Sequence, residues 1–143
     1  MPCWLFKEEP DHYNYADLER DGETWWDGVD NNWARQHLRQ VRAGDRILFY
    51  HTGKEKAIVG EMVAVSDPQA DSRADDPKAV VVRVRAARRW PIPLPLRRIK
   101  MDTQLADWEL VRLPRLSVLP VSEAQWQRLE QLAQEDDNSR SGR

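Results

Sequence analysis

Within nine residues, from Trp25 to Trp33, the segment WWDGVDNNW sets three tryptophans beside Asp27 and two asparagines. A flat heterocycle needs an aromatic ring to stack on and amide or carboxylate groups to read its edge, and this segment carries both. Trp26 is the expected stacking platform. It precedes an Asp27-Gly28 turn signal, and such a turn projects the preceding side chain rather than burying it. Its ring face should therefore border a concave, ligand-sized space. Asp27 accepts hydrogen bonds and Asn31 both donates and accepts, so these two are the candidates for reading a base edge. At least one of the tryptophans should fill the core, and Trp33, on a helical stripe, is the one expected there.

A second constellation is basic. Arg83 and Arg85 alternate with valines, so both should emerge on one face of a strand. Arg88, Arg89, Arg97, Arg98 and Lys100 extend the cluster, and residues 83–100 contain no acid. Residues 1–30 are the reverse, with nine acids against Lys7 and Arg20. Arginine makes forked contacts with phosphate oxygens, which makes Arg83 and Arg85 candidates for holding a nucleic-acid backbone. The same strand also reads as a solvated face with acids from residues 8–30 as its neighbours. The net charge of −2 supplies no bulk attraction for a polyanion, so any such attraction must be local.

Catalytic and metal chemistry find little support. Cys3, His12, His37 and His51 stand at spacings that match no common metal pattern. There is no P-loop, dinucleotide-binding turn, nucleophile elbow or HExxH, and only 6 glycines are available for phosphate-cradling loops. Carboxylate pairs such as Glu8-Glu9 and Asp75-Asp76 are of the kind common on surfaces. No catalytic residue, metal ligand or cofactor is predicted.

These side chains need a scaffold. The 143 residues, 41% hydrophobic and 32% charged, suit one globular domain. No run of about 18 apolar residues exists to span a membrane. No secretory signal is visible and the single cysteine fits a reducing compartment, so a bacterial cytoplasm is the expected location. Cys3–Lys7 reads as a short buried strand, and Asn14–Arg20 as a helical turn or two closed by Gly22. Residues 31–42 carry the helical stripe Trp33, Ala34, His37, Leu38 and Val41. Arg46–His51 and Ala57–Val65 should form a hairpin packed against a long strand over Ala79–Trp90. Pro91, Pro93 and Pro95 should rule out regular pairing beyond Trp90. Residues 66–78 read as an exposed loop, Leu96–Met101 as a short helix and Leu116–Leu119 as a strand. Ser122–Gln125 has the capping-box form and opens a helix whose inner face is Trp126, Leu129 and Leu132. The fold class expected is α+β, a domain over residues 1–134 followed by a disordered tail, 135–143.

In this order the blocks Trp4-Leu5-Phe6-Lys7-Glu8-Glu9-Pro10, Trp26-Asp27-Gly28-Val29-Asp30-Asn31 with Ala34-Arg35, Gly44-Asp45 through Phe49-Tyr50-His51 with Ile58-Val59-Gly60, and Arg115-Leu116-Ser117-Val118 with Pro120 resemble the EVE domain family, over about residues 2–130. The resemblance implies a PUA-like pseudo-barrel, a curved mixed sheet with flanking helices, related to the YTH readers of methylated adenine in RNA. It implies a non-catalytic module that takes a modified base, such as a modified cytosine, into an aromatic pocket, with DNA rather than RNA as partner and no membrane. On this resemblance Lys7, Glu8, Tyr50, His51 and Ser117 would line the pocket with Trp26, Asp27 and Asn31, and Arg35 would join Arg83 and Arg85 at the backbone. Glu8 stands where the family usually has a small hydroxyl residue, and Asn32-Trp33 replaces a tyrosine–glutamine pair. Two other readings of the same pocket stay open: an enzyme acting on a small nucleotide or modified nucleoside, and a reader of modified RNA.

Overall fold

The computed structural model describes residues 2–141, with side chains over residues 2–136. The architecture is a single mixed sheet of seven strands with five helices. Along the sheet the order is β2 (Glu23–Trp26), β6 (Val80–Pro95), β4 (Ala57–Ala64), β3 (Arg46–His51), β1 (Cys3–Glu8) and β7 (Val118–Val121), with β5 (Gln69–Ala70) pairing on β6. Only β1 and β3 run parallel; all other pairs are antiparallel. The expected hairpin is present as β3–β4, and β4 packs on β6 as predicted.

Alternation divides the side chains of the central strands between two layers. On one face Phe6 of β1 meets Phe49 of β3 and Trp26 of β2, under α1 (Tyr15–Asp21). On the other face Arg46 lies 4.0 Å from the Trp126 ring of α5 (Glu123–Ser141). Local chemistry explains the helix ends. Asn14 caps α1 in a reciprocal capping box with Asp17, and Gly22 closes it at φ +77°. Ser122 and Gln125 make the predicted box at the start of α5, with bonds of 2.9 and 3.0 Å. Such caps contribute about 1 kcal/mol each. Trp126, Leu129 and Leu132 are buried, as their spacing predicts.

Several expectations are corrected. The three prolines do not end β6, which runs to Pro95 and pairs there with Ala57, but the pairing is irregular as expected, its register slipping between Gly60↔Arg89 and Ile58↔Leu94. Leu94 pairs with Ile58, so by alternation the missing N–H groups of Pro93 and Pro95 fall on the side away from β4, while Pro91 lies in the stretch where the register slips. At the far end of the strand the Leu96 N–H reaches the Lys56 carbonyl at 2.8 Å. The strand expected at 116–119 lies at Val118–Val121. The helix expected over 31–42 is α2, Asn32–Leu38. The short helix α3 (Leu96–Met101) occurs as expected, but α4 (Glu109–Arg112) was not foreseen. Residues 135–141, expected to be structureless, continue α5, while 142 and 143 of that predicted tail lie outside the described residues. No helix among the described residues is long and apolar enough to cross a membrane.

Candidate functional site

The end of β1 brings the predicted residues to one region but not onto one surface. Lys7 pairs with Tyr50 and Glu8 with His51 across the parallel ladder. Because neighbours in a strand point to opposite faces, the first pair and the second are on different sides of the sheet.

Glu8, Trp26 and Asp27 line a cavity of about 320 Å³ together with His12, Tyr13, Thr24, Trp25 and Arg73. The indole of Trp26 is only 5% exposed, since β2 pairs it with Val82 and turns it toward Phe6 and Phe49. It borders the cavity, but its ring face is not open as expected. Trp25, on the other face of β2, is half-buried with the Arg83 guanidinium 5.3 Å from its ring centre. Both Glu8 oxygens are engaged, one by the Glu9 N–H at 2.9 Å and one by His12 Nδ1 at 3.2 Å. Asp27 is exposed, lines the cavity and makes no hydrogen bond or ion pair among the described residues, so its oxygens are free acceptors. The site therefore offers one aromatic wall and a few placed polar groups, the mixture small-ligand sites use.

His51 does another job. The Tyr15 N–H donates to its Nε2 at 3.1 Å, so the ring proton resides on Nδ1, which donates to Glu55 at 2.7 Å. The imidazole is buried, and it ties α1 to β3 instead of lining the cavity. On the opposite face, the Lys7 ammonium donates to the Pro114 carbonyl at 3.0 Å and lies 5.6 Å from the Tyr50 ring centre. Burial there pushes Lys7 down to about 8 and the Tyr50 phenol up to about 12. Ser117 adjoins them, its carbonyl accepting the Lys7 N–H at 2.9 Å.

Asn31 caps α2 by accepting the Ala34 N–H at 3.0 Å, which leaves its amide nitrogen as a donor. It lines a second cavity of about 300 Å³, between α2 and the 112–116 segment. The burial expected of Trp26 and Trp33 is reversed: Trp33 is 52% exposed. Helix α2 buries Ala34, Arg35 and Leu38, leaving Trp33 on its flank.

Arg35, expected at a nucleic-acid backbone, is instead 7% exposed. Its guanidinium donates to the Val29 carbonyl at 2.7 Å and pairs with Asp76 at 2.8 Å, pinning the 71–79 loop. In the basic cluster, Arg83 pairs with Glu23, Arg88 with Glu61, Arg89 with Glu19 and Arg98 with Asp136. Arg85, Arg97 and Lys100 have no ion pair among the described residues. Tyr13, Thr24 and Arg73 were missed by sequence reasoning, because the fold carries them to the cavity from a turn, an unforeseen strand and a loop. Among the described residues, no cluster of three or more His, Cys, Asp or Glu side chains is arranged to hold a metal ion.

A family model described as the EVE domain matches residues 2–132. Thymocyte nuclear protein 1 of Mus musculus is 31% identical over 157 aligned residues, covering 86% of this chain and 70% of that protein. A crystal structure of a protein from Agrobacterium tumefaciens, 31% identical, superposes with a TM-score of 0.89 over 93% of both chains. Human thymocyte nuclear protein 1, solved in complex with 5-methylcytosine-containing DNA, is 28% identical and superposes with a TM-score of 0.83 over 93% of this chain and 98% of that one.

Proposed function

This chain belongs to the EVE domain family, and from that premise we propose that it is a non-catalytic module that binds a modified cytosine in DNA, holding the base turned out of the helix in the cavity bordered by Trp26. The observation that carries the reading is the human relative's complex with 5-methylcytosine-containing DNA, whose fold this chain shares over 93% of its length. The cavity supports it chemically. Turning a base out of the stack costs a few kcal/mol, and a contact with the half-buried Trp25 or Tyr13, which line the cavity beside the closed Trp26 ring, returns about 1–3 kcal/mol. Hydrogen bonds supply the remainder. Cytosine presents an exocyclic amino group as donor, and Asp27 and Glu8 are the acceptors that border the cavity. The Asn31 amide contributes a donor at the adjoining rim, while Lys7, Tyr50 and Ser117 act from the far face by fixing the end of β1. Arg85, with Arg83 on the same face of β6, attracts the phosphates.

A panel of oligonucleotides of one sequence, differing only in the modification of one cytosine, tests this reading. At least one modified member should bind more tightly than the plain one, and Asp27→Asn should remove that preference. Equal affinity for all members would overturn it.

A further inference from the structure

Apart from the Asn31 amide at its rim, the second cavity has no part in that account, and its composition is unusual. Trp33 is a large apolar side chain left 52% exposed. It is nevertheless held in place. The His37 ring stacks on it at 6.2 Å with an interplanar angle of 27°, and Trp4 packs against His37 at 6.2 Å with planes tilted at 51°. Burial holds the His37 imidazole below its ordinary pKa, so the prop is a neutral ring. Facing Trp33 across about 300 Å³ are Leu113, Pro114, Arg112 and Arg115, and no acid lines the space. Arg112 is anchored through Nε to the Asp107 carbonyl at 2.7 Å, and Arg115 has no ion pair among the described residues. A rigid, exposed aromatic beside two arginines suits a base with its phosphate.

The two cavities are also close along the chain, though β1 presents Lys7 and Glu8 to opposite faces. Asp27 borders the first and Asn31 the second, four residues apart, a span of at most about 14 Å. The Lys7 ammonium holds the Pro114 wall of the second cavity to β1, and the next residue, Glu8, borders the first. We infer that the cavity between Trp33 and Arg115 is a stacking site for an unpaired nucleotide on the same strand as the base read beside Trp26, with Arg112 and Arg115 holding its phosphate. This rests on the reading above for the first cavity. The two sites divide the work: the first discriminates, and the second adds affinity without regard to modification, because every base has a face to stack.

The test measures binding of the wild-type protein and Trp33→Ala to two oligonucleotides, one with 5-methylcytosine and one with plain cytosine in an unpaired segment. Trp33→Ala should weaken both by the same factor, about 5- to 150-fold, the loss of one base–aromatic stack, with the preference between them unchanged. Trp33→Phe should restore most of the affinity. Removing the flanking bases, by abasic substitution on each side, should weaken the wild type on one side and leave Trp33→Ala unaffected. Because Trp33 is largely outside the core, the variant's thermal unfolding should match the wild type. Unchanged affinity of Trp33→Ala for both oligonucleotides would overturn the inference, as would a loss confined to the modified one. A wild type that binds both equally but loses affinity with Trp33→Ala would sink the modified-base reading and leave the stacking site standing.

Discussion

The indole of Trp26 meets the Phe49 ring edge-on, with centroids 5.2 Å apart and planes at 87°. Phe6 closes on the same indole at 5.4 Å. The wall of the candidate base pocket is thus a member of the core, and pocket shape and fold stability share one side chain. Trp26→Ala should therefore cost about 3–5 kcal/mol, the range for truncating a buried aromatic, as read by urea denaturation. A loss below 1 kcal/mol would show the ring to be peripheral to the core.

The same face depends on an absent side chain. A Cβ at Gly60 would stand 2.7 Å from Tyr15 Cε2, 2.9 Å from Cζ and 3.0 Å from the Arg88 carbonyl oxygen. The Tyr15 ring cannot swing away cheaply, since it is buried and its hydroxyl donates to the Glu61 carbonyl at 2.7 Å. Gly60→Ala should cost about 1–3 kcal/mol through overpacking. Combining it with Tyr15→Leu should cost less than the sum of the single changes, because the two positions touch. Strict additivity in thermal unfolding would contradict the contact.

Lys7 links stability to pH. Burial pushes its ammonium down to about 8, whereas an unfolded lysine titrates near 10.4. Below pH 8 the group is charged in both states and folding bears its desolvation. Between about 8 and 10.4 the folded protein releases the proton while the unfolded chain keeps it. The unfolded state then binds more protons, so stability from this group rises with pH. The Tyr15 and Tyr50 phenols, raised to about 12 by burial, oppose this only above pH 10. Urea denaturation at pH 7 and pH 9.5 should show wild type gaining stability relative to Lys7→Met. Parallel pH dependence in the two proteins would place the amine in solvent.

Much of this architecture is legible in the residues themselves. The β3–β4 hairpin, the valine-rich β6, the Gly22 stop of α1, the Ser122 cap and the buried stripe of α5 follow from local periodicity and capping chemistry, which tertiary context did not override. The prolines of β6 do disturb its register against β4, but that the strand resumes beyond them depends on which edge their missing donors face, a property of pairing partners. Trp26 and Trp33 exchanged places for a similar reason: strand β2 was not foreseen, so a side chain read as the lip of a turn is an inward strand residue. Lys7 and Glu8 are adjacent in sequence, but a strand sends them to opposite faces. Arg73 reaches the cavity only because Arg35 and Asp76 hold its loop, a contact no local pattern encodes.

The most direct measurement of the central claim is an NMR titration of ¹⁵N-labelled protein with an oligonucleotide carrying one 5-methylcytosine, against the same oligonucleotide with plain cytosine. The largest differences between the two titrations should fall on the amides of Glu8, Thr24 to Asp27 and Arg73 and on the Trp26 indole N–H. Identical titrations, or differences confined to residues away from this cavity, would contradict the account.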